Sequence, residues 1–350
     1  MPGKINHHYR EGPHVFDQGN EYQILYCDYS RKEWKETWKY VDREDECVLE
    51  VSNPLKEPFK VRIRNKVNPS KAYFEPSDQI LVISDIEGNF TSLISLLETQ
   101  AVIDSERNWT FGNGHLVMLG DLLDRGADVT PCLWLLYKLE EEAQQAGGRV
   151  HILLGNHEIM VFEGDLRYLN KKYIHQGEDS GIQYKELFSS NTILGRWLRQ
   201  QPSIIRIGNL LFSHAGISPE VYSLRLSIDS INHLIRAILV DQKNEYDNME
   251  GLSNVSSLLG AKGIFWYRDW VESPQAENVV DSILQFYEAG HMIIGHTIVP
   301  EIQPIYGQKV IAIDLVQPRI PYFGESRALL YERGNFFEVS DRGKKKNIPL

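Results

Sequence analysis

The chain is poor in cysteine and has no long apolar run. Its three cysteines, Cys27, Cys47 and Cys132, show no close pairing and no metal-binding spacing, which argues against a disulfide-rich secreted scaffold and favours a reducing compartment. No stretch approaches the roughly 18–20 apolar residues that a membrane span requires. Met1–Phe16 also lacks the apolar run of a signal peptide. We therefore expect a cytoplasmic protein with no membrane partner.

Positively charged residues are outnumbered, with 37 lysines and arginines against 48 aspartates and glutamates. The net charge is −11, and the only dense basic run is Lys344-Lys345-Lys346 near the C-terminus. A field of this sign repels polyanions, so we expect no nucleic-acid partner. The three lysines are interpreted as part of a solvated, frayed tail over residues 341–350. The composition leaves the oligomeric state open.

The sequence contains no internal repeat and no low-complexity tract. Its patterns of apolar residues indicate two structural regions. Residues 1–77 predict a β-rich extension, because Glu21–Tyr29, Cys47–Ser52 and Phe59–Ile63 combine partial alternation with β-branched or aromatic content. Residues 78–340 predict a catalytic domain in which strands alternate with helices. Such alternation is typical of an α/β layered architecture.

Five strand-like runs each lead directly into potential metal ligands. The runs are Gln79–Ser84, His115–Leu119, Val150–Leu154, Asn209–Phe212 and His291–Ile294. The segments that follow them are Asp85–Asn89, Gly120–Gly126, Gly155–Glu158, Ser213–Gly216 and Gly295–Thr297. Open α/β sheets place their ligand chemistry at the carboxyl ends of strands. We therefore expect these five segments to form one site.

The side chains in these segments suit a pair of divalent cations that hydrolyse a phosphoester. The uncatalysed hydrolysis of a phosphomonoester is very slow. Two cations roughly 3.5–4 Å apart lower the pKa of a bridging water and offset the charge that develops during the reaction. Such a site needs one carboxylate shared by both metals, and Asp121 is the candidate. The remaining candidate ligands are Asp85, Glu87, Asn156, His214 and His296.

The motifs DIEG, GDLLDRG, GNHE, HAG and GHT, in this order, resemble those of the metal-dependent phosphoprotein phosphatase family of the calcineurin-like metallophosphoesterase superfamily. The resemblance covers about 78–340, roughly three-quarters of the chain. It implies a four-layer α-β-β-α sandwich, here with an N-terminal β-rich extension. The segment Ile159–Tyr168, and Thr297 after His296, look like the bacterial Shewanella-like branch of the family.

The resemblance also implies roles for individual residues. Two sets of metal ligands follow from it: Asp85 and Asp121 for the first metal, and Asp121, Asn156, His214 and His296 for the second. His157 is the implied general acid that protonates the leaving alkoxide, oriented by Asp124. Arg125 and Arg268 are expected to hold the phosphate oxygens. A metal-bound hydroxide would attack phosphorus in line, without a phosphoenzyme.

Glu87 departs from the family pattern, which has a histidine at this position. A carboxylate can bind Mn, Mg or Fe through oxygen, and a more oxygen-rich first site favours Mn²⁺ or Mg²⁺ over Zn²⁺. We expect direct ligation by Glu87, with a hydrogen bond from Glu87 to a metal-bound water as the alternative. The predicted cofactor is a pair of divalent metal ions, manganese foremost, with Fe, Mg, Ni and Zn as alternatives.

Some residues near the motifs have a structural interpretation. Arg268 lies close in sequence to Trp266 and Trp270, so cation–π packing is the alternative to phosphate binding. Tyr168 is interpreted as packing and surface rather than as a substrate contact. Asp314 is a weaker candidate for supporting the metal ligands.

We expect an enzyme that hydrolyses phosphomonoesters, with a phosphorylated protein or peptide, or a small phosphoester, as its substrate. No cysteine stands in a C-x5-R motif and no aspartate opens a D-x-D-x-T motif, which argues against a covalent phosphoenzyme. Symmetrical dinucleoside tetraphosphate hydrolysis is one alternative, because enzymes of that group share the motif order. A non-catalytic binding module is the other, supported by Glu87 and the N-terminal extension.

Overall fold

Strands and helices alternate from residue 79 to residue 163, as the sequence predicts, whereas the described elements from residue 291 to residue 348 are all strands. The computed structural model describes residues 9–30, 33–55, 57–64, 66–240, 252–273, 275–318 and 325–349. Within these ranges the strands are β1 (Tyr9–Asp17), β2 (Glu21–Ser30), β3 (Glu33–Asp42), β4 (Val48–Val51), β5 (Phe59–Arg62), β6 (Tyr73–Phe74), β7 (Gln79–Ile83), β8 (His115–Met118), β9 (Arg149–Ile152), β10 (Ile204–Ile207), β11 (Leu210–Ser213), β12 (His291–Ile294), β13 (Gln303–Ile305), β14 (Val310–Ala312), β15 (Arg327–Glu332), β16 (Asn335–Ser340) and β17 (Lys345–Ile348). The helices are α1 (Phe90–Thr99), α2 (Val129–Gln145), α3 (Asn156–Glu163), α4 (Lys171–Ser180), α5 (Ile193–Arg199), α6 (Pro219–Ser223), α7 (Ile228–Leu239), α8 (Leu252–Leu259), α9 (Asp269–Glu272) and α10 (Glu277–Phe286), and a 3₁₀ helix covers Tyr184–Phe188.

Two six-stranded sheets form the centre of the fold. The first has the order β17-β16-β15-β7-β8-β9, and the second has the order β13-β14-β12-β11-β10-β6. The neighbours β7, β8 and β9 run parallel, as do β11 and β12. Parallel neighbours bring their carboxyl ends to the same edge of a sheet, so the loops after these strands lie close together.

Both faces of the central strands are covered, which explains their continuous apolar sequences. Leu81 and Ile83 of β7 pack in the core that contains α1 and α2, whereas Ile80 and Val82 pack in the core that contains the second sheet. Strands buried on both faces have apolar runs instead of an alternating pattern. Helices α7 and α10 pack on the second sheet, so the four layers are α-β-β-α. The predicted fold class is confirmed.

The N-terminal extension is a three-stranded antiparallel sheet, β1-β2-β3, followed by the β4-β5 pair. It shares the core of α1 and α2, and Trp134 Nε1 on α2 donates a hydrogen bond to the Pro13 carbonyl at 2.8 Å. The sequence predicted β2, β4 and β5, but not β1 or β3. Strand β3, EWKETWKYVD, is exposed along most of its length, so its charged sequence carries no burial pattern. The domain boundary at residue 77 stays a prediction.

The C-terminal residues do not fray as expected. Strand β17 pairs antiparallel with β16 at the edge of the first sheet, and Ile348 is buried. The three lysines pair with carboxylates: Lys344 with Glu325, Lys345 with Glu332 and Lys346 with Glu301, at 2.8, 2.8 and 3.0 Å. Lysines are common on edge strands, where they oppose pairing with another chain. Within the described ranges no helix has the length and apolar character needed to cross a membrane.

Candidate active site

The five ligand segments meet where the two sheets come together. Asp85 follows β7, Asp121 follows β8 and His214 follows β11. Asn156 begins α3 just after β9, and His296 follows β12. The predicted strand ends therefore bring the candidate ligands into one place.

His214 lies at the centre of the cluster. Its Nε2 atom is 2.9 Å from Asn156 Oδ1, 3.2 Å from His296 Nδ1 and 3.4 Å from Asp121 Oδ2. All four side chains are buried. The carboxylate oxygens and imidazole nitrogens of Asp121, His214 and His296 lie within 4.8 Å of one another, a spacing that a single cation can bridge.

The protonation of His214 suits metal binding. Its Nδ1 atom is 2.7 Å from the Leu119 carbonyl, which can only accept, so Nδ1 carries the proton and Nε2 presents a lone pair. Burial lowers the pKa of His214, and burial together with the charges of neighbouring groups lowers the pKa of His296 well below its usual range. Neutral imidazoles whose outer nitrogen bonds to a backbone carbonyl are typical metal ligands.

The carboxylates of the site are crowded. Burial and the negative charges of Asp85 and Glu158 raise the pKa of Asp121 well above its usual range. Burial and the charge of Asp85 likewise raise the pKa of Asp314 to about 8. Divalent cations would offset this accumulated negative charge. The residues present therefore fit a two-cation centre. Asp121 belongs to both groups of potential ligands, Asp121–His214–His296 and Glu87–Asp121–His157.

Glu158, to which sequence reasoning gave no role, holds the loop that carries Asp121. Its buried carboxylate accepts four backbone N–H groups, from Asp121 at 2.9 Å, Leu122 at 2.8 Å, Leu123 at 3.0 Å and Gly155 at 2.7 Å. Its place in the GNHE motif was the available signal. Glu158 ties the loop after β8 to the start of α3.

Gly155 of the same motif leaves room for two candidate ligands. A Cβ atom at this position would lie 2.2 Å from Asp121 Oδ1 and 2.9 Å from His214 Cε1. Both distances are too short for real contacts, so any side chain would displace the Asp121 carboxylate. The glycine is therefore part of how the site is built.

Backbone strain is concentrated at the site. Six of the ten candidate residues have a positive φ angle: Asp85, Glu87, Asp121, Asp124, Arg125 and His296, with values from 45° to 67°. Residues other than glycine seldom adopt this conformation, and such residues cluster at functional sites. The strained backbone turns these side chains toward the cluster at the ends of extended strands.

His157 lies beside the cluster with Asp124 behind it. Its Nδ1 atom is 2.8 Å from Asp124 Oδ2, and its Nε2 atom is 3.7 Å from Asp121 Oδ2 and 4.0 Å from Glu87 Oε1. The backbone N–H of His157 donates to Asp121 Oδ1 at 3.0 Å. The imidazole therefore presents one nitrogen to the cluster and the other to a buried carboxylate.

Arg125 and Glu87 form an ion pair at the mouth of the site. Arg125 also lies over the ring of Tyr168, 5.1 Å from its centroid, and this ring is 5.2 Å from that of His157. The sequence analysis interpreted Tyr168 as packing and surface; the residue stands in a turn, and its ring packs between two candidate site residues. Direct ligation by Glu87 stays a prediction, since its carboxylate reaches both Arg125 and the group around Asp121.

Arg268 contacts the backbone of the His296 loop, and not an aromatic ring as the cation–π alternative in the sequence analysis proposed. Its Nη1 atom donates to the His296 carbonyl at 2.8 Å. Among the described residues, none of the cation–π contacts involves Arg268. The arginine is thus held against a candidate ligand loop, and its phosphate-binding role stays a prediction.

A family model described as calcineurin-like phosphoesterase matches residues 79–300. This span contains all ten candidate residues. The chain belongs to the calcineurin-like phosphoesterase family. Members of this family bind divalent metals, in agreement with the clustered carboxylates and histidines.

Relatives within the family agree with this assignment. The cold-active protein-tyrosine phosphatase of a psychrophilic Shewanella species is 30% identical with a TM-score of 0.83, over 97% of this chain and 100% of that one. Shewanella-like protein phosphatase 1 of Plasmodium berghei is 26% identical over 255 residues, 70% of each chain. Shewanella-like protein phosphatase 2 of Arabidopsis thaliana is 39% identical over 103 residues, 29% of this chain and 26% of that protein. The predicted resemblance is confirmed, and the protein is a metal-dependent phosphatase.

Proposed function

We propose that this calcineurin-like phosphoesterase removes phosphate from phosphotyrosine in proteins or peptides, with manganese as its preferred metal. The observation that carries the proposal is the pairing of two features in one cleft. A buried His157–Asp124 pair faces the cluster around Asp121, and two exposed aliphatic side chains line the opening. The first feature suits phosphoester hydrolysis, and the second suits an aromatic ring next to the phosphate.

The residues around the phosphate have distinct tasks in this proposal. Two divalent ions, when bound, supply Lewis-acid activation of water and charge stabilisation. His157 gives the proton on Nε2 to the leaving oxygen, and Asp124 stabilises the imidazolium and fixes its orientation. Arg125 exchanges its ion pair with Glu87 for the phosphate oxygens, which its planar guanidinium matches. Arg268 supports the His296 loop and supplies a second positive charge.

The opening of the cleft supports an aryl substrate. The catalytic cleft is a cavity of about 550 Å³, and its lining includes Asp85, Glu87, Arg125, Ile298 and Val316. Ile298 and Val316 are 62% and 66% exposed, and the segments that carry them are joined by the parallel bridge between Val299 and Leu315. Exposed apolar pairs beside a polar site are typical of binding surfaces. The Shewanella relative is, by its name, a protein-tyrosine phosphatase.

A matched pair of phosphopeptides tests the proposal. Two peptides that differ only in carrying phosphotyrosine or phosphoserine are compared with diadenosine tetraphosphate, all with Mn²⁺. We expect the highest kcat/KM for phosphotyrosine, and a roughly tenfold loss of this preference in Ile298→Ser or Val316→Ser, comparable to losing about 1.4 kcal/mol of apolar contact. Val48→Ser, at an exposed valine of the extension, is the control.

Two results would overturn the assignment. Faster turnover of diadenosine tetraphosphate than of either peptide would favour the dinucleoside tetraphosphate hydrolase. Equal kcat/KM for the two peptides, unchanged by the Ile298 and Val316 substitutions, would remove the aryl specificity while leaving a phosphomonoesterase.

A further inference from the structure

A second cavity adjoins the catalytic cleft on the side of the N-terminal extension. This cavity, of about 540 Å³, is lined by Tyr29, Trp34, Lys172 and His175 together with Ala127 and Asp128. Ala127 and Asp128 also line the catalytic cleft. We call this second cavity the extension groove. One side of it comes from the catalytic domain and the other from β2 and β3.

The loop shared by the two cavities is firmly held. The Ala127 carbonyl accepts hydrogen bonds from Lys172 Nζ at 2.5 Å and from the Tyr173 hydroxyl at 3.1 Å. Asn170 Nδ2 donates to the Arg125 carbonyl at 2.8 Å. The same lysine pairs with Glu11 on β1. The floor between the two cavities is therefore fixed to α4 and to the extension, and it can hold a ligand without first becoming ordered.

The far wall of the extension groove is an aromatic pair. Tyr29 at the end of β2 and Trp34 at the start of β3 are register partners, with ring centroids 5.1 Å apart. Both side chains are only partly buried. The backbone N–H of Trp34 donates a hydrogen bond to Asp179 Oδ2 on α4 at 3.1 Å. This bond fixes β3 relative to the helix. Tyrosine and tryptophan are enriched at the centres of protein-binding surfaces.

Because the two cavities adjoin at Ala127 and Asp128, we propose that the extension groove binds the polypeptide of the substrate on one side of its phosphorylated residue. The inference rests on the proposed phosphoprotein function. A phosphate held at Arg125 leaves the adjoining chain at the mouth of the cleft, and extended residues at about 3.3 Å each would cross Ala127 and Asp128 and reach Tyr29 and Trp34. The extension would then favour protein substrates over small phosphoesters.

Binding of a non-hydrolysable ligand tests the groove without turnover. The probes are peptides that carry phosphonomethyl-phenylalanine in place of phosphotyrosine, extended by one to six residues on either the N-terminal or the C-terminal side. Fluorescence anisotropy with the Mn²⁺-loaded protein gives Kd. We expect Kd to fall at least tenfold with extension on one side only. Equal Kd across both series would overturn the proposal.

Substitutions in the extension groove test whether the groove causes the lower Kd of the extended probes. Trp34→Ala and, on the exposed face of α4, His175→Ala should raise the Kd of the extended probe roughly tenfold and leave the Kd of the shortest probe within twofold. Tyr40→Ala, at an exposed tyrosine of β3 outside the groove, is the matched control. His175→Ala keeps the test valid if Trp34→Ala fails to fold. Parallel losses for short and long probes, or none for either, would contradict the groove.

The two proposals fail differently. If the phosphatase assignment is wrong, p-nitrophenyl phosphate and the phosphopeptides will not turn over, whatever the probes show. If only the groove is wrong, turnover will remain and will not depend on peptide length.

Discussion

The Nδ1 atom of His157 lies 2.8 Å from the Oδ2 atom of Asp124, and both side chains are at most 2% exposed. Since an ionised carboxylate only accepts hydrogen bonds, Nδ1 carries the proton and the pair is oriented with Nε2 toward Asp121. The hydrogen bond to this buried carboxylate fixes the tautomer and the orientation of the imidazole. The geometry therefore makes Asp124 the group that positions His157 as a proton donor.

Asp124→Asn tests this relationship. The amide has no charge to stabilise the imidazolium, so we expect kcat on p-nitrophenyl phosphate to fall about 100-fold or more, with little change in KM. Asp281→Asn, at an exposed aspartate of α10, should leave kcat unchanged. Full activity in Asp124→Asn would show that the pair has no part in proton transfer.

Glu87 should determine the choice of metal. In Glu87→His the first site gains a nitrogen donor and loses a negative charge, so we expect the ratio of Zn²⁺-supported to Mn²⁺-supported turnover to rise at least roughly tenfold. The measurement is p-nitrophenyl phosphate turnover after loading with each metal in turn. Glu98→His, at an exposed glutamate of α1, is the control. An unchanged ratio would argue that Glu87 acts on Arg125 alone.

Glu158 should contribute mainly to stability. Glu158→Gln replaces a carboxylate that accepts four N–H groups with an amide that has one acceptor oxygen. Buried N–H donors are left without partners, so we expect the free energy of unfolding, measured by urea titration, to fall by about 3 kcal/mol. Glu163→Gln, at an exposed position of the same helix, should change stability by less than about 0.5 kcal/mol. Equal effects of the two substitutions would contradict this role.

A buried pair of histidines on β8 and β9 should make the fold acid-sensitive. His151 Nε2 lies 3.1 Å from His115 Nδ1. Burial lowers the pKa of His115 to about 4 and, with the charge of His115, lowers the pKa of His151 well below its usual range. The unfolded chain binds these protons near pH 6.5, so stability is complete above about pH 6.5 and falls as the pH drops toward 4.

Urea titrations between pH 7 and pH 4.5 measure this dependence. The loss attributable to His115 alone should be on the order of 3 kcal/mol over the window, and His151 should add to it. The double variant His115→Gln/His151→Gln should show a flatter pH dependence, whereas His233→Gln, at an exposed position, should follow the native curve. Parallel curves for native protein and double variant would refute the assignment.

The sequence could predict those parts of the fold in which a buried strand leads into a candidate metal ligand. Strands β7 and β8 are buried on both faces, and Asp85 and Asp121 follow them directly, so an apolar run that ends in a ligand was visible. Strand β3 is exposed and charged, and the C-terminal strand β17 depends on its pairing with β16. Neither has a local pattern that separates it from a loop or a tail.

Contacts between distant segments lay beyond the reach of sequence reasoning. Tyr168 reaches His157 and Arg125 from a turn, and Ile298 and Val316 line the same cleft although they lie on separate segments of the chain. The position of the extension groove beside the catalytic cleft likewise depends on how β2 and β3 pack against α4. These relationships arise from tertiary packing, which neither periodicity nor motif spacing records.

The central claim is that the cluster around Asp121 hydrolyses phosphomonoesters with two divalent ions. The most direct measurement is p-nitrophenyl phosphate turnover after chelation, followed by titration with Mn²⁺ while bound metal is counted. We predict that chelation abolishes turnover and that activity returns as two ions bind per chain, in the native protein but not in Asp121→Ala or His214→Ala. Undiminished turnover after complete removal of metal, or native activity in Asp121→Ala, would contradict the account.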